Sequence, residues 1–248
     1  MLLRAQFEKS GGWLFRWRSY LPLFILGIFL AAMHGYTKPG GNESIETLWE
    51  VLCFAISFMG LGIRVFTIGY TPKNTSGRNT KKQVADELNT SGAYSVVRNP
   101  LYLGNFFMGL GVALFAYMWW LVLIYILVFW LYYERIIFAE EAFLTGKFGQ
   151  EYTQWADNTP LIVPNFRLYR RADLPFSIRN VLRREYNGFF AVIVSLFLLE
   201  LVGDIFLEGT LWVAVDMEWK IMLGGGFLVW LVLRFLKKHT KILNVEGR

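Results

Sequence analysis

The sequence predicts an all-α, polytopic membrane protein of about six transmembrane helices with a tight helical hairpin at its centre. Three observations carry this. Of the 248 residues, 55% are hydrophobic and 18% aromatic, too apolar a balance for an ordinary soluble domain of this length. Several apolar runs approach the ~20 residues needed to cross a bilayer. Lys and Arg gather in alternate connections between those runs, as they do in loops on one side of a membrane.

Residues 1–18 mix Arg and Lys with Phe7, Trp13, Leu14, Phe15 and Trp17, a pattern that suits a short interfacial segment. No small-residue cleavage site follows, so no cleavable signal peptide is expected. A first span runs from about Tyr20 to Tyr36 and is broken by Lys38-Pro39-Gly40-Gly41. A second runs from about Leu48 to Ile68 and encloses the only cysteine, Cys53, expected as a packed core thiol. Arg64, near the inner end of this span, is expected to snorkel toward headgroups. Residues 69–100 are polar. Thr75-Ser76-Gly77-Arg78-Asn79 reads as a loop and Lys81 to Leu88 as a short helix.

From Leu101 to Tyr133 the chain is nearly uncharged. As one helix it would be roughly 50 Å long, against a bilayer core of about 30 Å. It is therefore expected to fold back on itself near Ala116 to Trp120, with Gly104, Gly109 and Gly111 allowing close packing on the first arm. Residues 134–188 form the longest polar region. Asn187 to Phe206 is a fifth span, and Ile221 to Leu236, with an alternative start at Leu211, a sixth.

The basic residues lie in the N-terminus, the 69–100 loop, the 134–188 region and the C-terminal tail. The positive-inside rule puts all of these in the cytoplasm, consistent with an even number of spans. The net charge of +6 reads as cytoplasmic loops and not as a nucleic-acid surface. The chain divides into residues 1–74 with two spans, a central unit of residues 75–166, and residues 167–248 with a basic linker and two more spans.

Two polar stretches flank the central hairpin on the same side of the membrane. The first is Gly92-Ala93-Tyr94-Ser95-Val96-Val97-Arg98-Asn99-Pro100-Leu101-Tyr102-Leu103-Gly104; the second contains Glu140-Glu141, Phe148-Gly149, Glu151-Tyr152, Pro160 and Pro164. Together they offer Tyr94, Arg98, Asn99, Tyr102, Glu140 and Glu141 at one mouth. Paired carboxylates near a membrane are costly unless something cationic meets them, and a ligand carrying both charges would satisfy the set. Plainer readings exist. Glu140 and Glu141 can be solvated and paired with Lys147 or Arg135, Arg98 can anchor at the interface, and Asn99-Pro100 can simply start a helix. Hydrolase triads, zinc sites and phosphate-binding loops are absent.

These two stretches, taken as Gly92-x-Tyr94-x-x-x-Arg98-Asn99-Pro100-x-Tyr102-x-Gly104 and Arg135-Ile136-x-x-x-Glu140-Glu141-x-x-Leu144-x-x-x-Phe148-Gly149-x-Glu151-Tyr152-x-x-Trp155 with Pro160 and Pro164, resemble the isoprenylcysteine carboxyl methyltransferase and phospholipid methyltransferase superfamily. The resemblance covers about residues 75–166, and includes members of the lipid A phosphate methyltransferase type. It implies an integral membrane enzyme that uses S-adenosylmethionine. It further implies that Asp86, Glu87, Leu88, Asn89 and Tyr94, the Asn99-Pro100-Leu101-Tyr102 turn, Glu140 and Glu141 bind the cofactor.

The chain departs from the family twice. Asn99 stands where the family usually has His, and Asp86 where it often has His. Asn cannot titrate near neutral pH, and the chain's histidines, His34 and His239, lie far from both stretches. Methylating an amine requires removal of a proton; a phosphate or carboxylate oxygen is already an anion. The expectation is therefore an O-methyltransferase acting on a lipid-anchored anion, a phosphate of the lipid A or polyprenyl type, with Arg78, Arg98 and Arg135 gripping it. The alternatives are carboxyl methylation of a prenylated cysteine, N-methylation of a phospholipid amine, and a non-catalytic lipid-binding membrane protein. The expected partners are a lipid or lipidated substrate and the membrane; no metal is expected.

Overall fold

The computed structural model describes residues 2–35, 43–73, 75, 84–208 and 215–248. Among these the chain is helical, with no strand. The helices are α1 (Leu3–Trp17), α2 (Leu21–Ala32), α3 (Glu43–Gly69), α4 (Ala93–Val96), α5 (Pro100–Phe115), α6 (Trp119–Phe148), α7 (Gln150–Asn158), α8 (Ile178–Glu208) and α9 (Met217–His239).

Four of these, α3, α6, α8 and α9, are long and apolar enough to cross a membrane. The count becomes five if α1 and α2, which meet at a 77° bend, are taken as one broken span. The expected six is not reached by this measure. Helix α2 has only 12 residues and α5 only 16, so α5 is roughly 24 Å long at 1.5 Å per residue. The chain is a multi-pass membrane protein with one short apolar arm.

The central hairpin forms, and its turn lies at Ala116–Met118, where Tyr117 adopts φ 56°. The Tyr117 ring stacks on Trp49 at 5.7 Å. Two boundaries differ from expectation. Helix α6 continues through 134–148, so Glu140 and Glu141 are helical residues. Helix α8 begins at Ile178 instead of Asn187, which places Arg179, Arg183, Arg184 and Glu185 on a helix. The short helix expected over Lys81 to Leu88 does not form over 84–88; residues 81–83 lie outside the described residues.

The first arm packs most extensively on α3. A Cβ added at Gly104 would stand 2.8 Å from Gly60 O, and one at Gly111 would stand 2.4 Å from Cys53 O. The small residues thus serve the α3–α5 contact, as backbones approach where side chains are smallest. Helix α1 lies on α6, with Gly11 against the Arg135 carbonyl. Cys53 is fully buried in the main core with Phe29, Phe115, Leu121, Leu196 and Trp219.

Main-chain bonds join the two polar stretches. Arg98 N donates to Pro160 O at 2.8 Å, Asn165 N to Val96 O at 2.9 Å, and Gly92 N to Arg170 O at 3.0 Å. Gly92 sits at φ 60°, a conformation open to glycine at no steric cost. Pro100 occupies the first turn of α5, where its missing N–H leaves nothing unsatisfied.

Candidate active site between the polar loops and the helix bundle

A cavity of about 640 Å³ runs from the joined loops into the bundle, walled by the α1–α2 corner, α3, α5, α6 and α8. Along α5 it passes through three levels. Asn99 to Tyr102 lie at the polar mouth, Asn105 is one turn deeper, and Met108, Gly109 and Val112 lie deeper still.

At the mouth, Tyr102 Oη donates to Glu140 Oε1 at 2.8 Å, and Arg18 Nη1 stands 3.6 Å from the same oxygen. The Tyr102 ring rests on Tyr133, centroids 4.5 Å apart. Arg98 Nη1 donates to Glu141 Oε1 at 2.6 Å. Burial, and next the Glu141 carboxylate, push the hydroxyl of neighbouring Tyr152 above its ordinary range. Two buried donors on cavity-lining residues have no acceptor, Arg98 Nε and Trp155 Nε1. An unmet buried donor costs about 1–3 kcal/mol, and among the described residues neither donor has an acceptor.

One level in, Arg64 enters from α3. Its Nε and Nη2 donate to Glu185 Oε2 and Oε1 at 2.7 and 2.8 Å, and its Nη1 donates to Asn105 Oδ1 at 2.6 Å. Asn105 Nδ2 passes the chain on to Tyr133 Oη at 3.1 Å. The snorkelling expected of Arg64 is therefore overturned. Its guanidinium is held inside the bundle because Glu185 offers a two-point partner that headgroups would otherwise supply. Below this level the wall turns apolar, with Ile25, Leu26, Phe29, Met108, Val112 and Phe129.

Of the residues expected to bind a cofactor, Glu87, Leu88, Asn89, Tyr94, Asn99, Pro100, Leu101, Tyr102 and Glu140 line the cavity. Asp86 and Glu141 do not; Glu141 stands behind the wall as the partner of Arg98. Among the residues expected to grip an anion, Arg98 lines the cavity and Arg78 lies outside the described residues.

Arg135 is a correction. Its guanidinium lies 4.9 Å from the Phe7 ring centroid and 3.4 Å from Ser10 Oγ, both on α1. Five residues separate it from Glu140, which at 3.6 residues per turn is roughly 140° around the helix. The two side chains therefore leave α6 in different directions. Sequence reasoning missed Arg18, Arg64, Asn105, Tyr133, Trp155 and Glu185 as wall residues. The available signal was the charge of Arg64 inside an apolar run, since such a residue is a functional candidate by default.

A family model described as phospholipid methyltransferase matches residues 51–151. Protein-S-isoprenylcysteine O-methyltransferase of Schizosaccharomyces pombe is 35% identical over 75 residues, 30% of this chain and 32% of that one. The cobalt-zinc-cadmium resistance protein CzcN of Cupriavidus metallidurans is 33% identical over 112 residues, 44% of this chain and 49% of that one. The nickel-cobalt-cadmium resistance protein NccN of Alcaligenes xylosoxydans is 33% identical over 133 residues, 52% of this chain and 59% of that one. The alignments thus span between about a third and three fifths of these relatives' lengths. No solved structure matches.

Proposed function

We propose that the chain, whose residues 51–151 match a phospholipid methyltransferase family model and which is similar in part to an isoprenylcysteine methyltransferase, transfers a methyl group from S-adenosylmethionine to an oxygen on a lipid-anchored anion. The observation that carries the proposal is the pair of buried donors without acceptors, Arg98 Nε and Trp155 Nε1, in the same wall as the Glu140 carboxylate. A zwitterionic amino-acid group fits such a wall. Arg98 and Trp155 would receive its carboxylate, Glu140 and Tyr102 would hold its cationic end, and Glu87 to Asn89 with Tyr94 would line the remainder. The bound cofactor supplies an electrophilic methyl group on a sulfonium.

The chain's own residues do the rest by holding and excluding. The apolar level from Ile25 to Phe29 and from Met108 to Val112 accommodates a hydrocarbon tail, and this burial excludes water from the reacting oxygen. Orientation is the main source of rate in such a site. The histidines support an oxygen acceptor over an amine: His34 lies against Phe206 at 5.5 Å and His239 against Phe235 at 5.0 Å, and neither lines the cavity. A lipid phosphate is the favoured acceptor, and the carboxylate of a prenylated cysteine carries the same charge. The Lys and Arg distribution supports a cytoplasmic mouth.

The test has two parts. Calorimetric titration of the purified chain with S-adenosylmethionine should show binding, and lipid mass spectrometry of cells with and without the protein should show a mass difference of one methyl group. Absence of binding would remove the enzyme reading. Binding without any methylated product would favour a non-catalytic lipid-binding protein.

A further inference from the structure

The Arg64–Glu185 pair stands where the cavity changes character. Above it are the donors and the carboxylate of the mouth; below it the wall is mainly apolar, with Tyr125 and Ser195 among its residues. A lipid whose tail fills the apolar level must place its head group at this boundary. The pair is also buried, with side chains 13% and 3% exposed, and removing two charges from water is costly unless their bonds are well met.

The geometry leaves Arg64 partly unspent. A guanidinium carries five N–H groups. Two go to Glu185 and one to Asn105, so among the described residues two remain on a side chain that lines the cavity. Its fork cannot swing, because Glu185 holds one edge in two-point fashion and Asn105, tied to Tyr133, holds the other. A fixed fork with spare donors suits a phosphate or carboxylate. Glu185 comes from α8, beyond residues 51–151, so this recognition element is assembled by joining the matched core to a helix outside it.

We propose that Arg64 is the acceptor-binding residue of this cavity, reading the anionic head group of a prenyl or acyl lipid, and that Glu185 is the positioning residue that aims it. The inference rests on the methyltransferase reading for the reason an acceptor is there, and its test separates the two.

The experiment uses the full chain in nanodiscs. Binding of farnesyl phosphate, N-acetyl-S-farnesylcysteine and uncharged farnesol is measured, with S-adenosylhomocysteine affinity taken in parallel. The wild type should bind at least one of the two anions about tenfold more tightly than farnesol; the anion preferred identifies the head group. Arg64→Lys should lose most of that preference, with farnesol and S-adenosylhomocysteine affinities unchanged. Should that variant fail to fold, the double exchange Arg64→Glu with Glu185→Arg retains an ion pair and decides in its place, again by loss of the preference. Glu185→Gln should weaken the preference without abolishing it. A wild type that binds S-adenosylhomocysteine but does not prefer either anion overturns the proposal. So does a folded Arg64→Lys variant that keeps the full preference. A wild type that binds no S-adenosylhomocysteine yet prefers an anion through Arg64 sinks the methyltransferase reading and retains the anion site.

Discussion

The stem of Arg64 crosses α5 directly over Gly104: a Cβ added at residue 104 would lie 2.5 Å from Arg64 Cγ. The same atom would be 2.8 Å from the Gly60 carbonyl oxygen, one turn earlier on α3. Main chain and a pinned arginine leave it nowhere to go.

Gly104→Ala should therefore destabilise the protein by about 1–3 kcal/mol, the usual cost of overpacking, and should weaken acceptor binding by displacing Arg64. Gly62→Ala, on the same helix as Gly60 but with open space around it, should leave stability unchanged or slightly raised. Thermal unfolding in detergent compares them, and equal melting temperatures would refute the close α3–α5 contact.

Glu140→Gln should weaken S-adenosylmethionine binding by about 2–5 kcal/mol, the range for a desolvated charge facing a cation. Tyr102→Phe, which removes only the hydrogen bond at 2.8 Å, should cost about 0.5–1.5 kcal/mol. Calorimetry reads both. An unchanged affinity for Glu140→Gln would take that carboxylate out of the cofactor site.

Trp155→Phe keeps a ring and removes the unmet Nε1 donor. The ligand-free protein should be no less stable, because a buried donor without an acceptor is a cost. Cofactor affinity should nevertheless fall by about 1–3 kcal/mol. Falling stability with unchanged affinity would mean that the indole is only packing.

A variant with His34→Ala and His239→Ala should retain most of its methyl-transfer rate, since neither residue lines the cavity. Loss of turnover in a folded double variant would restore a base and, with it, an amine acceptor.

With Cys53→Ala as background, a cysteine at Arg170 should react with an impermeant thiol reagent only from the cytoplasmic side, and one at Trp119 only from the other. Labelling in the opposite sense would invert the topology drawn from the basic loops.

The parts legible in the sequence were those carried by composition or by a local motif. Apolar runs announced the helices, and Glu140 does meet Tyr102 across the hairpin, as Arg98 does Glu141. The Arg64–Glu185 pair was not legible, because its members are 121 residues apart and no periodicity reports a contact at that distance. The end of α6 was misread because its charged residues resembled a loop, whereas a helix continues wherever its hydrogen bonds are met, in lipid or in water. Arg135 stays out of the cavity because α1 supplies the aromatic ring and hydroxyl that hold it elsewhere.

The three bonds that join residues 92–98 to residues 160–170 run from main chain to main chain. Loss of a side-chain group does not delete them directly; proline at the donor positions 92, 98 or 165 would, and any side chain at Gly92, held at φ 60°, would strain the turn that carries one of them. The frame of the mouth thus rests first on main chain, with Ser95 Oγ accepting from Arg170 N at 2.8 Å as a side-chain tie between the same stretches. Asn99 adds a side-chain tie between the same loops, its Nδ2 donating to Leu161 O at 3.4 Å, so exchanging it removes that bond and leaves the main-chain frame that carries the mouth in place.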